Sequence, residues 1–158
     1  MAGTGSSTGV IAGKEYLDSK GSDGSYLQGT LVSESSITSE SATSGIGYAT
    51  GAGGAVTQIT NRATGVTVNA ICGQITTDNT SLAAEASAKF TVTNSAVAEA
   101  DVIVISFRDA VGLNTDVVVT DTAAGTFELT VINNNVAAGT AETGVIIINF
   151  AIIKAVAA

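Results

Sequence analysis

Several residue types that carry chemistry are missing from this chain. The 158 residues include no histidine, tryptophan or proline, and Cys72 is the single cysteine. Without histidine, the commonest general acid or base and metal ligand near neutral pH is absent. Cys72 has no partner for an intrachain disulfide, which excludes a disulfide framework and fits assembly in a reducing compartment. We interpret it as a small buried hydrophobic residue.

Positive charge is also scarce. Six Lys and Arg residues stand against 14 Asp and Glu, which gives a net charge of −8. The six cations are scattered, whereas binding to phosphates needs clustered Lys and Arg, so nucleic acid is not an expected partner. We interpret the acidic excess as a means of keeping a chain rich in Ala, Gly, Ser, Thr and Val in solution.

Long hydrophobic runs are absent as well. The longest is Val145–Ile153, interrupted by Asn149, and it is far shorter than the roughly 20 residues that span a bilayer. Residues 1–7 lack the basic and apolar regions of a signal peptide. The sequence therefore predicts no membrane partner and assembly in the cytoplasm of the producing cell.

Two patterns invite an enzymatic interpretation. Gly47–Gly54 is rich in glycine but lacks the Lys-Ser/Thr ending of a phosphate-binding loop, so we interpret it as a flexible joint. Glu99, Asp101 and Glu128 are carboxylates of the kind that cleave glycosides, but aromatic residues make up only 4% of the chain, which leaves little to stack a sugar ring. We expect no enzymatic activity, no cofactor and no small-molecule substrate.

Three aspartates raise the question of a metal. Asp109, Asp116 and Asp121 fall near the ends of predicted strands, and a hard cation such as Ca²⁺ takes oxygen ligands. The dense alternating acidic pattern of a calcium loop is missing, and turn-capping aspartates have the same appearance. A weak calcium site therefore stays open as an alternative, and no metal is the prediction.

The chain changes character near residue 50. Residues 1–54 hold twelve of the 18 glycines, a composition that cannot bury enough apolar surface to form its own core. Small apolar anchors recur in it all the same, and the dipeptide Tyr-Leu occurs twice, ten residues apart. We predict an extended arm and Gly-rich joint over residues 1–54, with a plain disordered tail as the alternative. The predicted anchors that bind a partner are Tyr16, Leu17, Tyr26 and Leu27.

Residues 55–158 favour strands. They contain 26 Val and Ile against three Leu, and β-branched side chains suit the pleated strand. Polar and Gly-containing turns separate the apolar segments. The predicted strands are Val66–Asn69, Ile71–Thr76, Lys89–Thr93, Val102–Phe107, Asp116–Thr120, Thr126–Ile132 and Val145–Ile153. Leu82–Lys89 is predicted as a connector or one helical turn. We expect an all-β, jelly-roll-like or Greek-key β-sandwich over residues 55–158.

The last strand poses a burial problem. Val145–Ile153 does not alternate, so both of its faces are apolar and both need cover. One face meets the opposite sheet, and the other needs the arm, a loop or a neighbouring subunit. We predict a neighbouring subunit, because association adds burial to a core built of small residues. The predicted subunit-interface residues are Ile146, Ile148, Phe150 and Ile152.

Six segments give the chain a resemblance to a known class. They lie in order between residues 45 and 154: Gly45–Gln58, Thr64–Asn69, Cys72–Thr76, Phe90–Ser95, Ala100–Ile105 and Ile147–Lys154. In this order they resemble the β-rich domain of virion structural proteins of tailed phages. Such proteins are capsid decoration (cement) proteins, head fibres or tail-fibre modules.

The resemblance implies a homotrimeric β-domain that projects from the phage particle, and the leading hypothesis places it on the outer surface of the head. Our leading hypothesis is a capsid decoration protein whose arm binds the major capsid protein. A head-fibre or tail-fibre (spike) module that binds a host receptor is the alternative. A carbohydrate-binding module or a hydrolase is a third hypothesis, disfavoured by the low aromatic content and the missing histidine.

Overall fold

The structure is a computed structural model, and it describes residues 42–43, 45–109, 114–137 and 139–157. Nearly all of them belong to a compact unit that starts at Gly47. The described part is built of strands and turns and contains no helix. Its eight strands are β1 (Gly53–Thr57), β2 (Val66–Thr67), β3 (Cys72–Thr76), β4 (Ser87–Thr93), β5 (Val102–Asp109), β6 (Thr115–Ala123), β7 (Thr126–Asn133) and β8 (Ile146–Ile153).

The strands form two sheets of four. Sheet I has the order β1-β3-β8-β5, and sheet II has the order β2-β4-β7-β6. β1 pairs with β3 and β2 with β4 in parallel, and the other pairs are antiparallel. The chain changes sheet at every connection except the β6–β7 hairpin. The prediction of an all-β protein with two layers is confirmed, and both sheets are mixed.

The predicted strands recur as β2 to β8, each with one or both ends shifted by one to three residues. Two regions differ from the prediction. Gly53–Thr57 forms β1 inside and just after the predicted Gly-rich joint, because it pairs with β3. Residues 82–86 are a connector, as one of the two alternatives predicts, but without a helical turn: Ala84 and Glu85 make a tight turn, and β4 starts at Ser87.

The core lies between the sheets and follows the alternation of the strands. β7 alternates strictly, and its inward residues Phe127, Leu129 and Val131 are at most 1% exposed. The rings of Phe127 and Phe150 connect the two sheets, with their centroids 5.6 Å apart at a tilt of 50°. Buried Ile and Val fill the space around them. The core is therefore one contiguous layer of mostly β-branched side chains.

A glycine in β3 is required by this packing. A Cβ atom on Gly73 would lie 2.3 Å from the Gly54 carbonyl oxygen and 2.9 Å from the Phe150 ring. Both distances are below van der Waals contact, and the first involves backbone that cannot rotate away. We expect Gly73→Ala to lower the free energy of unfolding by about 1–3 kcal/mol, the usual cost of overpacking. Urea denaturation measures this loss.

A matched control lies on the neighbouring strand. A Cβ atom on Gly53 would meet only Cys72 atoms, at 3.7 Å, which is ordinary contact. Gly53→Ala is therefore expected to leave stability within about 0.5 kcal/mol of the natural chain. Equal losses for the two variants would show that close packing at Gly73 does not limit the fold.

Candidate interaction surfaces

The described chain enters and leaves the sandwich at the same end. Tyr48, just before β1, donates a hydrogen bond from its hydroxyl to the carbonyl oxygen of Ile152, near the end of β8. Gly51 makes the turn between Tyr48 and β1 with φ of +98°, a conformation that favours glycine. The residues after β8 fold back on the loop before β5. We call this end of the sandwich the entry end.

An ion pair secures the entry end. Lys154 Nζ donates to Asp101 Oδ2, whose side chain is fully buried, and the N–H groups of Ala98 and Ala155 also donate to this carboxylate. The hydrogen bond from Lys154, with those from the two backbone N–H groups, holds the pKa of Asp101 below its ordinary value. Asp101 is thus the residue that ties the C-terminal segment to β5.

The opposite end of the sandwich contains a buried polar cluster. Arg62 Nη2 lies 3.8 Å from Glu142 Oε1, and the two side chains are 3% and 0% exposed. Arg62 Nε donates to the Thr80 carbonyl at 2.6 Å and Nη2 to the Gly144 carbonyl at 2.6 Å. Glu142 accepts from Thr115 Oγ1 at 2.9 Å and from the Gly144 N–H at 2.6 Å. The pair therefore fastens four loop or strand-end segments together.

Two buried amides extend this cluster. Gln58 Nε2 donates to the Arg62 and Thr64 carbonyls at 3.1 and 2.7 Å, and its Oε1 accepts from the Asp78 N–H at 3.1 Å. Asn133 Nδ2 donates to three carbonyls between residues 82 and 140. Among the described residues, no buried side-chain nitrogen or oxygen lacks a partner. The cluster therefore links the loops at this end through hydrogen bonds that satisfy its buried polar groups.

The predicted binding anchors Tyr16, Leu17, Tyr26 and Leu27 lie outside the described residues. The predicted interface residues Ile146, Ile148, Phe150 and Ile152 lie in the core of one chain, each at most 4% exposed. This corrects their assignment to a subunit interface: they face sheet II, so a neighbouring subunit cannot contact them. The outward residues of β8 are the alternate set, Ile147, Asn149, Ala151 and Ile153.

The outer face of sheet II is polar and charged. Lys89 on β4 forms an ion pair with Glu128 on β7 at 2.7 Å, and the pKa of Lys89 is raised by the hydrogen bond and charge of Glu128. Nearby, the hydroxyl groups of Thr120 and Thr130 form a hydrogen bond with 3.2 Å between their Oγ1 atoms. Asp116 and Asp121 are exposed on β6. This face has the composition of a solvated surface.

The outer face of sheet I differs. Val102 and Ile153 are paired across β5 and β8 and are 52% and 54% exposed, and Val104 is 47% exposed. In the middle of the face Gln74 Nε2 donates to Asn149 Oδ1 at 3.0 Å, so these amides partly satisfy each other. A shallow depression of about 180 Å³ lies beside them between β5 and β8.

The carboxylates considered for catalysis have separate structural partners. Asp101 is engaged by Lys154 at the entry end, and Glu128 is engaged by Lys89 on the outer face of sheet II. The structure does not bring these two groups together.

The aspartates considered for calcium do not form a cluster where the structure describes them. Asp116 Oδ2 accepts a hydrogen bond from Asn134 Nδ2 at 3.1 Å, and the side chain of Asp109 lies outside the described part. In the described ranges no three His, Cys, Asp or Glu side chains lie close enough together to hold a metal ion.

The described part also offers no helix long and apolar enough to cross a membrane.

The fold therefore defines a two-sheet, all-β sandwich with one charged and one nearly uncharged outer face. When the chain was compared with known proteins, no protein family, no curated protein and no solved structure matched it.

Sequence reasoning missed the Arg62–Glu142 pair and assigned the wrong residues of β8 to the exposed face of sheet I. The pair joins residues 80 positions apart, each flanked by Ala, Thr or Asn, and no local pattern marks it. A signal for the face was present in β5, where Val102, Val104, Ser106 and Arg108 share one side. The sequence could not say which of the two apolar sides faces outward.

Proposed function

We propose that this chain is a capsid decoration protein of a tailed phage, which binds the outer surface of the head as a trimer and stabilises it. The phage assignment rests on the ordered resemblance between residues 45 and 154. The structural observation that best supports a decorating role is the single entry end, marked by the Tyr48–Ile152 hydrogen bond and the Lys154–Asp101 pair. In this proposal the shell is bound from the entry end, where the chain of the sandwich begins.

This geometry suits attachment through the arm. A segment that orders on binding covers a large surface with few residues, and its aromatic anchors dominate the binding energy. The sandwich then stands on the shell by its entry end and adds a rigid body without chemistry of its own. The fully bonded polar cluster at the far end fits such a role, because it fixes loops and offers no reacting group.

The receptor-binding alternative draws on a different observation. Two aliphatic side chains at the end away from Tyr48, Ile59 and Val136, are 86% and 79% exposed. In a head-fibre or tail-fibre (spike) module this end would face the host. Single exposed aliphatic residues are common on protein surfaces, which leaves decoration as our proposal.

Binding to purified heads that lack this chain tests the proposal. We expect the full chain to bind, and a variant with Tyr16, Leu17, Tyr26 and Leu27 all replaced by alanine to bind at least about 30-fold more weakly, the equivalent of one hot spot of about 2 kcal/mol. Co-sedimentation of the chain with heads gives both affinities.

The matched control changes four polar arm residues to alanine. They are Ser33, Ser35, Ser36 and Thr38. This variant should bind as the natural chain does. Unchanged binding by the Tyr-Leu variant would refute the arm anchors, and failure of the full chain to bind heads would refute the decorating function.

A further inference from the structure

The two outer faces of the sandwich differ in charge. Sheet II presents four charged side chains outward: Lys89, Asp116, Asp121 and Glu128. Among the described side chains that point outward from sheet I, Arg108 alone is charged, and it lies toward the end of β5. No described acidic side chain lies on the outer face of sheet I, although the chain carries 14 acids.

Apolar and small side chains occupy most of the uncharged outward positions of β5 and β8 in sheet I. Val102, Val104 and Ile153 form a contiguous patch, since Val102 pairs with Ile153 and Val104 is the next outward residue of β5. The depression beside this patch is lined in part by Ser106 and Ala151, two small side chains that leave room for a side chain from outside. Removing apolar surface of this kind from water is energetically favourable.

The edge strands β5 and β6 also differ in how well they are protected against pairing with another chain. β6, at the edge of sheet II, has a register shift between Val119 and Asp121 and carries exposed acids, two devices that discourage pairing with another chain. β5, at the edge of sheet I, pairs with β8 in unbroken register over eight residues. The β6 edge of sheet II is thus better protected against association than the β5 edge of sheet I, where Arg108 is the one described outward charge.

The charge of the chain favours a second copy over a basic partner as the occupant. Two copies with a net charge of −8 repel each other, and the repulsion is smallest where neither surface carries acids. A basic partner would instead favour an acidic face, which is the outer face of sheet II. We propose that the outer face of sheet I, centred on Val102, Val104 and Ile153, is the surface on which copies of this chain associate. This inference rests on the trimer of the proposed function and assigns its contact surface.

A charge placed in the patch tests the assignment. The full-length natural chain is expected to sediment as a multiple of 15.6 kDa, and Val104→Asp as the single chain. Val118→Asp is the matched control: Val118 is exposed on the outer face of sheet II, and the variant should sediment as the natural chain does. Circular dichroism confirms that each variant is folded, and Ile153→Lys, at another exposed position of the patch, replaces Val104→Asp if that variant does not fold.

Cys72 provides a second readout within the same face. It is half-buried and pairs with Ala151, which in turn pairs with Val104. Labelling of the natural chain by a maleimide should slow as protein concentration rises and copies cover the thiol. In Val104→Asp the labelling rate should be independent of concentration.

Two results would overturn the assignment. One is a natural chain that sediments as a single copy at every concentration, and the other is a folded patch variant that stays assembled with Cys72 protected. Head binding separates this inference from the proposed function. A single-copy chain that binds heads refutes the interface alone, whereas a chain that assembles through this face but ignores heads refutes the decorating function alone.

Discussion

Replacing Glu142 with alanine is expected to lower the free energy of unfolding by about 3–5 kcal/mol, the usual cost of removing one partner of a buried ion pair. The guanidinium of Arg62, which is only 3% exposed, would lose the carboxylate that lies 3.8 Å from it. The Thr115 hydroxyl and the Gly144 N–H would lose their acceptor as well. Denaturation by guanidinium chloride, followed by circular dichroism, measures the change.

An ion pair on the protein surface supplies the control. Glu128 pairs with Lys89 on the surface of sheet II, where the Lys89 side chain is 58% exposed. Glu128→Ala should cost about 0.2–1 kcal/mol, since water and salt screen exposed pairs. If Glu142→Ala costs no more than Glu128→Ala, the buried cluster does not hold the far end of the sandwich together.

Phe127→Ala is expected to cost about 3–5 kcal/mol, the range for removing a large aromatic side chain from a packed core. Phe127 is 1% exposed and contacts the ring of Phe150 across the two sheets. The surrounding side chains are mostly β-branched, and their restricted rotamers limit how far they can close the cavity. The same denaturation experiment measures this loss.

Phe107 allows a comparison at constant chemistry. It lies on β5 and is only partly buried against the core. Phe107→Ala removes the same atoms from a site already open to water, so we expect a clearly smaller loss. Equal losses would contradict the placement of Phe127 at the centre of the core.

The strands were predictable because their pattern is local. Alternation in β7 and the density of Val and Ile mark the core strands without any knowledge of their partners. β1 was not predictable, because Gly53 and Gly54 have low strand propensity and are held in a strand by pairing with β3. Its parallel partner is a long-range contact that composition does not reveal.

Which side chains of a strand point into the core was harder to predict. A strand such as β8, apolar on both sides, has two possible sets of inward residues, and a shift of one residue exchanges them. In the structure, the ring of Phe150 determines which face of β8 points inward, because it fits the space left by Gly73 and contacts Phe127. The sequence could therefore state that one face of β8 needs another cover, but it assigned the wrong set of side chains to that face.

The most direct test of the proposed function is a three-dimensional image reconstruction of phage particles with and without this chain. The account predicts difference density in many copies over the outer surface of the head, each a compact body attached by one end. Difference density confined to the tail, or particles identical with and without the chain, would contradict it.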